Sequence, residues 1–212
     1  MKDSTYKILE KLIEKHPALA VVKESINEVF LILANTYNND GKVLVCGNGG
    51  SAADCEHIVG ELMKGFLLPR ALNENEVKNF ENQNAVHIAR GLQKGLPAIS
   101  LVSQTGLMTA FLNDCDPELV FAQQTFVYMN PQDTLIALTT SGNSANVLNA
   151  ALTAKAGGGS CIAITGEKDS KISAIADCTI KLPSTETYVI QEYTLPVYHC
   201  VCAMLEEEFF GE

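Results

Sequence analysis

Val43-Leu44-Val45-Cys46-Gly47-Asn48-Gly49-Gly50-Ser51 is the stretch on which the fold turns. An apolar run breaks into glycine and asparagine, and the chain then enters a segment with helical spacing. A buried strand hands over to a helix N-terminus in this way, where unpaired backbone N–H groups and the positive end of the dipole favour an anion. Leu135-Ile136-Ala137-Leu138-Thr139-Thr140-Ser141-Gly142-Asn143-Ser144 repeats the pattern. Two such ends facing one crevice suggest a phosphate-bearing ligand, with Ser51, Thr139, Thr140, Ser141 and Ser144 as hydroxyl donors. The plainer reading is ordinary turns and helix caps, for which Ser, Thr and Asn are favoured anyway. The repetition favours binding.

Apolar runs with strand character recur at 43–46, 98–102, 134–138, 160–165 and 178–182. Segments of helical spacing lie between them, near 51–65, 105–128, 144–156 and 170–176, and a last one runs from about 188 to 210. Continuous apolar strands alternating with helices predict an α/β fold, a parallel sheet covered on both faces. Right-handed crossovers then bring the strand C-terminal ends, and both junctions, to one edge. Residues 4–37 read as an N-terminal helical segment: Ile8, Leu9, Leu12 and Ile13 form one stripe, and Ile26, Val29, Phe30 and Leu33 another. Pro17 interrupts it, and Asn38-Asn39-Asp40-Gly41 stops it. The polar insertion at 67–95 is longer than such connections usually are. It reads as a flap over the crevice, an oligomer contact or a solvated excursion.

Composition narrows the classes. The 212 residues are 47 % hydrophobic and 19 % charged, which suits one globular domain over 1–212. A net charge of −10 argues against a nucleic-acid surface. It leaves phosphate binding open, because helix ends bind anions without lysine. The seven cysteines form no CxxC pair and sit mostly in apolar runs, which reads as reduced thiols in a cytoplasmic protein. No apolar stretch reaches the roughly 20 residues of a membrane helix, and the first residues lack a signal-peptide pattern.

Four polar residues stand among apolar neighbours. His57 and Glu61 are four apart, on one helix face about a turn beyond the first junction. Gln191 and His199 lie on the last helical segment, separated by about 80° around its axis, so both can overlook one opening. Pro196 between them removes a backbone donor and predicts a kink. Two imidazoles, a carboxylate and an amide oxygen can hold a divalent metal, with Zn²⁺ the natural candidate. They can equally transfer protons, with Glu61 as base and His199 as acid. The structural alternative is a surface His57–Glu61 pair and a buried, hydrogen-bonded His199. His16 and His87 receive no role.

Taken together, Gly47-Asn48-Gly49-Gly50-Ser51, His57-x-x-x-Glu61, Ser141-Gly142-Asn143-Ser144-Ala145-Asn146-Val147, Thr165-Gly166 and Gln191 with His199 resemble the sugar isomerase (SIS) domain family. Within it the pattern is closest to the phosphoheptose (sedoheptulose-7-phosphate) isomerase branch. The likeness runs from about Ser4 to Phe210, outside the insertion. It implies a flavodoxin-like three-layer sandwich around a five-stranded parallel sheet, and a homotetramer with sites at subunit boundaries. It also implies aldose–ketose isomerisation of a sugar phosphate through an enediol. Ser51, Thr139, Ser141 and Ser144 would hold the phosphate, with Asn48 near the sugar and Gly49, Thr140 and Gln191 in the same binding set. Glu61 and His199 would be the acid/base pair, and zinc, where present, would sit on His57, Glu61, Gln191 and His199. The chain departs from the family at Ser103-Gln104 and Tyr188, where aspartates are usual, and at Met63-Lys64-Gly65-Phe66, where an arginine is usual. Lys64 or Arg70 is the expected replacement cation. Other members bind sugar phosphates, or contact a replication-initiation protein, without catalysis, and that is the alternative function.

Overall fold

The computed structural model describes residues 1–211. Its strands are β1 (Val43–Gly47), β2 (Ala98–Ser100), β3 (Thr134–Leu138), β4 (Ser160–Gly166) and β5 (Cys178–Leu182). All neighbours pair in parallel, in the order β2-β1-β3-β4-β5. The apolar runs are continuous because both faces of the sheet are covered. Val43 and Val45 of β1 join one core cluster, whereas Leu44 and Cys46 join the other. The first cluster is closed by α1 (Asp3–Lys15), α2 (Lys23–Asn38), α3 (Gly50–Met63) and the C-terminal helix (Thr187–Phe210). The second is closed chiefly by the helices at Val120–Tyr128 and Ala145–Ala156.

This strand order has its reversal between β1 and β3, and a doubly wound sheet opens its ligand crevice at such a point, beyond the strand C-terminal ends. Helix α3 starts directly after β1, and the helix at Ala145–Ala156 starts shortly after β3. The two glycine- and hydroxyl-rich junctions therefore flank one crevice.

The insertion at 67–95 holds two short helices, α4 (Glu74–Lys78) and α5 (Val86–Ala89). Asn73 opens α4 with a reciprocal cap, its side chain accepting from the Glu76 N–H while the Glu76 carboxylate accepts from the Asn73 N–H. The base of the insertion is fastened rather than loose. The Glu206 carboxylate accepts from the backbone N–H groups of Phe66, Leu67 and Leu68 and from Arg70 Nε. Arg70 also donates to the carbonyls of Leu62 and Glu61. Lys94 N–H donates to the Arg70 carbonyl, and Ala71 bridges Gln93. Arg70 is thus a buried structural cation, 2 % exposed, and the expectation that it replaces a substrate-binding arginine fails.

Two helical expectations are also corrected. The segment 105–128 is two helices, α6 (Thr105–Asp114) and α7 (Val120–Tyr128), because Asp116-Pro117 starts a 3-10 turn between them. The Asp116 carboxylate accepts from the Glu118 N–H, and proline supplies no donor to continue α6. The segment 170–176 is only a 3-10 turn over Ile172–Ala174. The remaining helices are α8 (Ala145–Ala156) and α9 (Thr187–Phe210), the latter continuous through Pro196. Among the described residues no helix is long and apolar enough to cross a bilayer.

Candidate active site

Helices α3 and α9 pack side by side, and the polar residues singled out in the sequence meet on that seam. His57 Nε2 lies 3.2 Å from Glu61 Oε1, as the i, i+4 spacing dictates. From the other end of the chain, α9 brings His199 Nε2 to 3.5 Å from the same His57 nitrogen. Glu61 is buried, and its second oxygen, Oε2, has no hydrogen-bond partner. The nearest cation is Lys64, whose Nζ stands 3.9 Å from it and is largely in solvent. A buried carboxylate oxygen without a donor is costly. Left open beside two imidazoles, it is a place for a ligand proton or a cation.

Burial, then the facing His57, holds the His199 pKa below the usual histidine value, with Glu61 opposing. The ring is therefore neutral at neutral pH, with one N–H to donate and one lone pair to accept. Both imidazoles are packed by aromatic rings. Tyr198 lies edge-on to His57 and His199, and Phe66 is tilted against His199. The Tyr198 hydroxyl is 2.8 Å from His57 Nδ1 and donates to Asp54 Oδ1 at 3.3 Å.

Gln191 takes a different station. It lies against the first turn of α3, where a Cβ on Gly50 would come within 2.6 Å of its Nε2. Only glycine at 50 lets that amide approach the junction. Gly49 caps α3 at φ 58°, a left-handed conformation that glycine adopts without strain. The two junctions are tied together by a reciprocal amide pair: each of Asn48 and Asn146 donates to the other's side-chain oxygen at 2.9 Å.

The hydroxyls divide between two positions. Ser51 is buried in the first turn of α3, and Thr139 Oγ1 lies 3.1 Å from Ser144 Oγ. Thr140 and Ser141 instead line a polar cleft of about 260 Å³ that extends over β4 and β5, with Gly166, Lys168 and Ser184 on its far side. That cleft adjoins the junction through the β3–α8 loop but does not include His57, Glu61 or His199.

Sequence reasoning passed over Asp54, Tyr198 and Asn146 as site residues. Asp54 stands one turn before His57 on the same helix, and Tyr198 directly precedes His199, so both carried a positional signal. The departure at Ser103 acquires a partner, since its hydroxyl donates to Glu56 Oε1 at 2.9 Å. Among the described residues, neither Gln104 nor Tyr188 makes a side-chain hydrogen bond to the seam. His16 and His87 stay outside the site.

A switch-point crevice with a hydroxyl-rich loop, beside a buried carboxylate and two imidazoles, defines an α/β domain built to hold a phosphorylated small molecule and move protons on it. The chain belongs to the SIS domain family, which it matches over residues 7–94 and 84–205. The phosphoheptose isomerase of Helicobacter pylori strain P12 is 35 % identical over 208 residues, 98 % of this chain and 91 % of that protein. The phosphoheptose isomerase of Burkholderia pseudomallei strain K96243 is 37 % identical over 172 residues, 81 % and 76 % of the two chains. Among solved structures, phosphoheptose isomerase GmhA from Neisseria gonorrhoeae superposes with a TM-score of 0.72 at 30 % identity, covering 92 % of this chain and 94 % of that one. The Francisella tularensis phosphoheptose isomerase gives 0.74 at 27 % identity, covering 98 % and 100 %.

Proposed function

We propose that this chain is an aldose–ketose isomerase of sugar phosphates, with a seven-carbon sugar phosphate as the substrate its named relatives indicate. The observation that carries the reading is the buried Glu61 carboxylate, one oxygen on His57 and the other unpartnered, beside the neutral ring of His199. Isomerisation needs a base for the proton on the carbon next to the carbonyl, and an acid for the carbonyl oxygen. Glu61 takes that proton, and a ring N–H of His199 protonates the oxygen, giving a neutral enediol. Returning the proton to the neighbouring carbon, while the other hydroxyl gives up its own to His199, completes the exchange. Glu61 and His199 end as they began. Ser51, Thr139, Thr140, Ser141 and Ser144, with the N-termini of α3 and α8, grip the phosphate. Asn48, Gly49 and Gln191 face the sugar. Remote grip of this kind orients the reacting end. A protein that only sensed sugar phosphates would need neither Glu61 nor His199.

Zinc is the metal that His57, Glu61 and His199 would hold, with Gln191, stationed against Gly50, as the fourth donor that the family resemblance implies. A tetrahedral ion with ligands at about 2.0–2.1 Å sets them roughly 3.3 Å apart. His57 Nε2 lies 3.2 Å from Glu61 Oε1 and 3.5 Å from His199 Nε2, which fits two of those edges. The unpartnered Glu61 Oε2 adds a vacant acceptor. Among the described residues no three His, Cys, Asp or Glu side chains are grouped closely enough to hold a metal ion, so the assignment rests on these two spacings alone. When bound, zinc would polarise the hydroxyl–carbonyl pair. A zinc-dependent rise in melting temperature that is lost in His57→Ala supports this role, and an unchanged melting curve removes it.

We further propose a homotetramer with sites at subunit boundaries. Exposed Met63 and Leu67, at the end of α3 and just beyond it, supply apolar surface for such a contact. A cytoplasmic setting suits the seven free thiols, six of them buried. The direct test of function is turnover of sedoheptulose 7-phosphate, followed by appearance of the aldose phosphate. Absence of turnover, alongside undiminished binding of the sugar phosphate, would leave the non-catalytic reading.

A further inference from the structure

His57 is held from behind. Its Nδ1 is 2.8 Å from the Tyr198 hydroxyl, which reaches Asp54 Oδ1 at 3.3 Å. Tyr198 is 3 % exposed and packed edge-on against both imidazoles, which holds its hydroxyl on its two partners. A phenol has one proton to give, and an ionised carboxylate can only accept. No other hydrogen bond reaches the Asp54 side chain among the described residues. Donation to Asp54 satisfies that carboxylate and turns the phenol oxygen into an acceptor. The atom it then accepts from is Nδ1–H of His57. With the proton on Nδ1, Nε2 is bare; its lone pair stands 3.2 Å from Glu61 Oε1 and 3.5 Å from His199 Nε2, and the carboxylate and the ring repel each other until a proton or cation lies between them.

We propose that Tyr198 and Asp54 are positioning residues that fix His57 as its Nδ1–H tautomer, so that Nε2 presents a lone pair to a proton or cation shared with Glu61 and His199. This deepens the isomerase reading and rests on it. Neither residue touches the reacting atoms; each acts through the ring. Outer partners of this kind decide which imidazole nitrogen is available, and losing one typically costs about 10–100-fold in metal affinity or activity.

The test is nitrogen-15 NMR of the histidine side chains in the full-length, chelator-treated protein, beside steady-state kinetics. Wild-type His57 should carry its proton on Nδ1. Tyr198→Phe removes one oxygen and keeps the ring, so the melting temperature should stay close to wild type. His57 should then populate both tautomers, and kcat should fall about 10–100-fold with KM little changed. Asp54→Asn turns the acceptor into a donor toward the phenol oxygen, sends the phenol proton to Nδ1, and should move the His57 proton to Nε2. A wild-type His57 protonated on Nε2, or a tautomer unaltered by both substitutions, overturns the proposal. The spectrum reads the tautomer whether or not the protein isomerises any sugar, so failure of the functional reading shows separately, in the kinetics.

Discussion

Glu206 and Glu61 are both buried carboxylates on the seam between α3 and α9, and they are treated in opposite ways. Glu206 is saturated: three backbone N–H groups and the Arg70 guanidinium point at its two oxygens. Glu61 has one oxygen 3.2 Å from His57 Nε2 and nothing within hydrogen-bond distance of the other. Saturation makes a charge structural, because moving it would strand several partners at once. An open oxygen keeps a charge available to chemistry. The two are also coupled, since Arg70 donates to the carbonyl of Glu61 itself. The closed site therefore anchors the helix end that presents the open one.

The sharpest way to break this contrast is Glu61→Gln. It should lower kcat by about 10²–10⁴-fold, the usual worth of a general base, while sugar-phosphate affinity and melting temperature hold. A loss confined to stability would place Glu61 with Glu206 as a structural group. Next in size is Arg70→Met, which leaves the buried Glu206 without its cation. Removing one partner of such a pair costs about 3–5 kcal/mol, measurable as a lowered urea midpoint. An unshifted midpoint would mean that the backbone N–H groups suffice.

The smallest effect concerns His199. Its folded-state pKa is lowered from 6.5, first by burial and then by His57. The unfolded chain thus binds this proton more readily, so stability is whole above 6.5 and declines as pH falls from 6.5 towards the folded value. His199→Gln should flatten that part of the stability–pH curve. A steeper decline in the variant would contradict the assigned cause.

Much of this architecture was legible in the chain because local signals and tertiary demands coincide. Leu135–Leu138, an unbroken apolar run ending in turn residues, reads as a doubly covered strand, and Gly49-Gly50-Ser51 reads as a helix start. Glu61 and His199 stood out as polar residues in apolar company. What stayed hidden depends on remote partners. Arg70 reads as a free cation until Glu206, far along the chain, is seen to cage it. Tyr198 reads as core until its hydroxyl is seen to span Asp54 and His57. The break at Asp116-Pro117 is a different miss. The cap-and-proline signal was local and present, but the apolar spacing on either side of it masked the interruption.

The open oxygen of Glu61 is the atom that carries a substrate proton in this mechanism. Incubating the protein and its Glu61→Gln variant with sedoheptulose 7-phosphate in D₂O, and following deuterium at the carbon beside the carbonyl, tests it most directly. Deuterium should enter that position with the wild-type protein and stay out with the variant. Equal incorporation by the two would rule Glu61 out as the proton carrier.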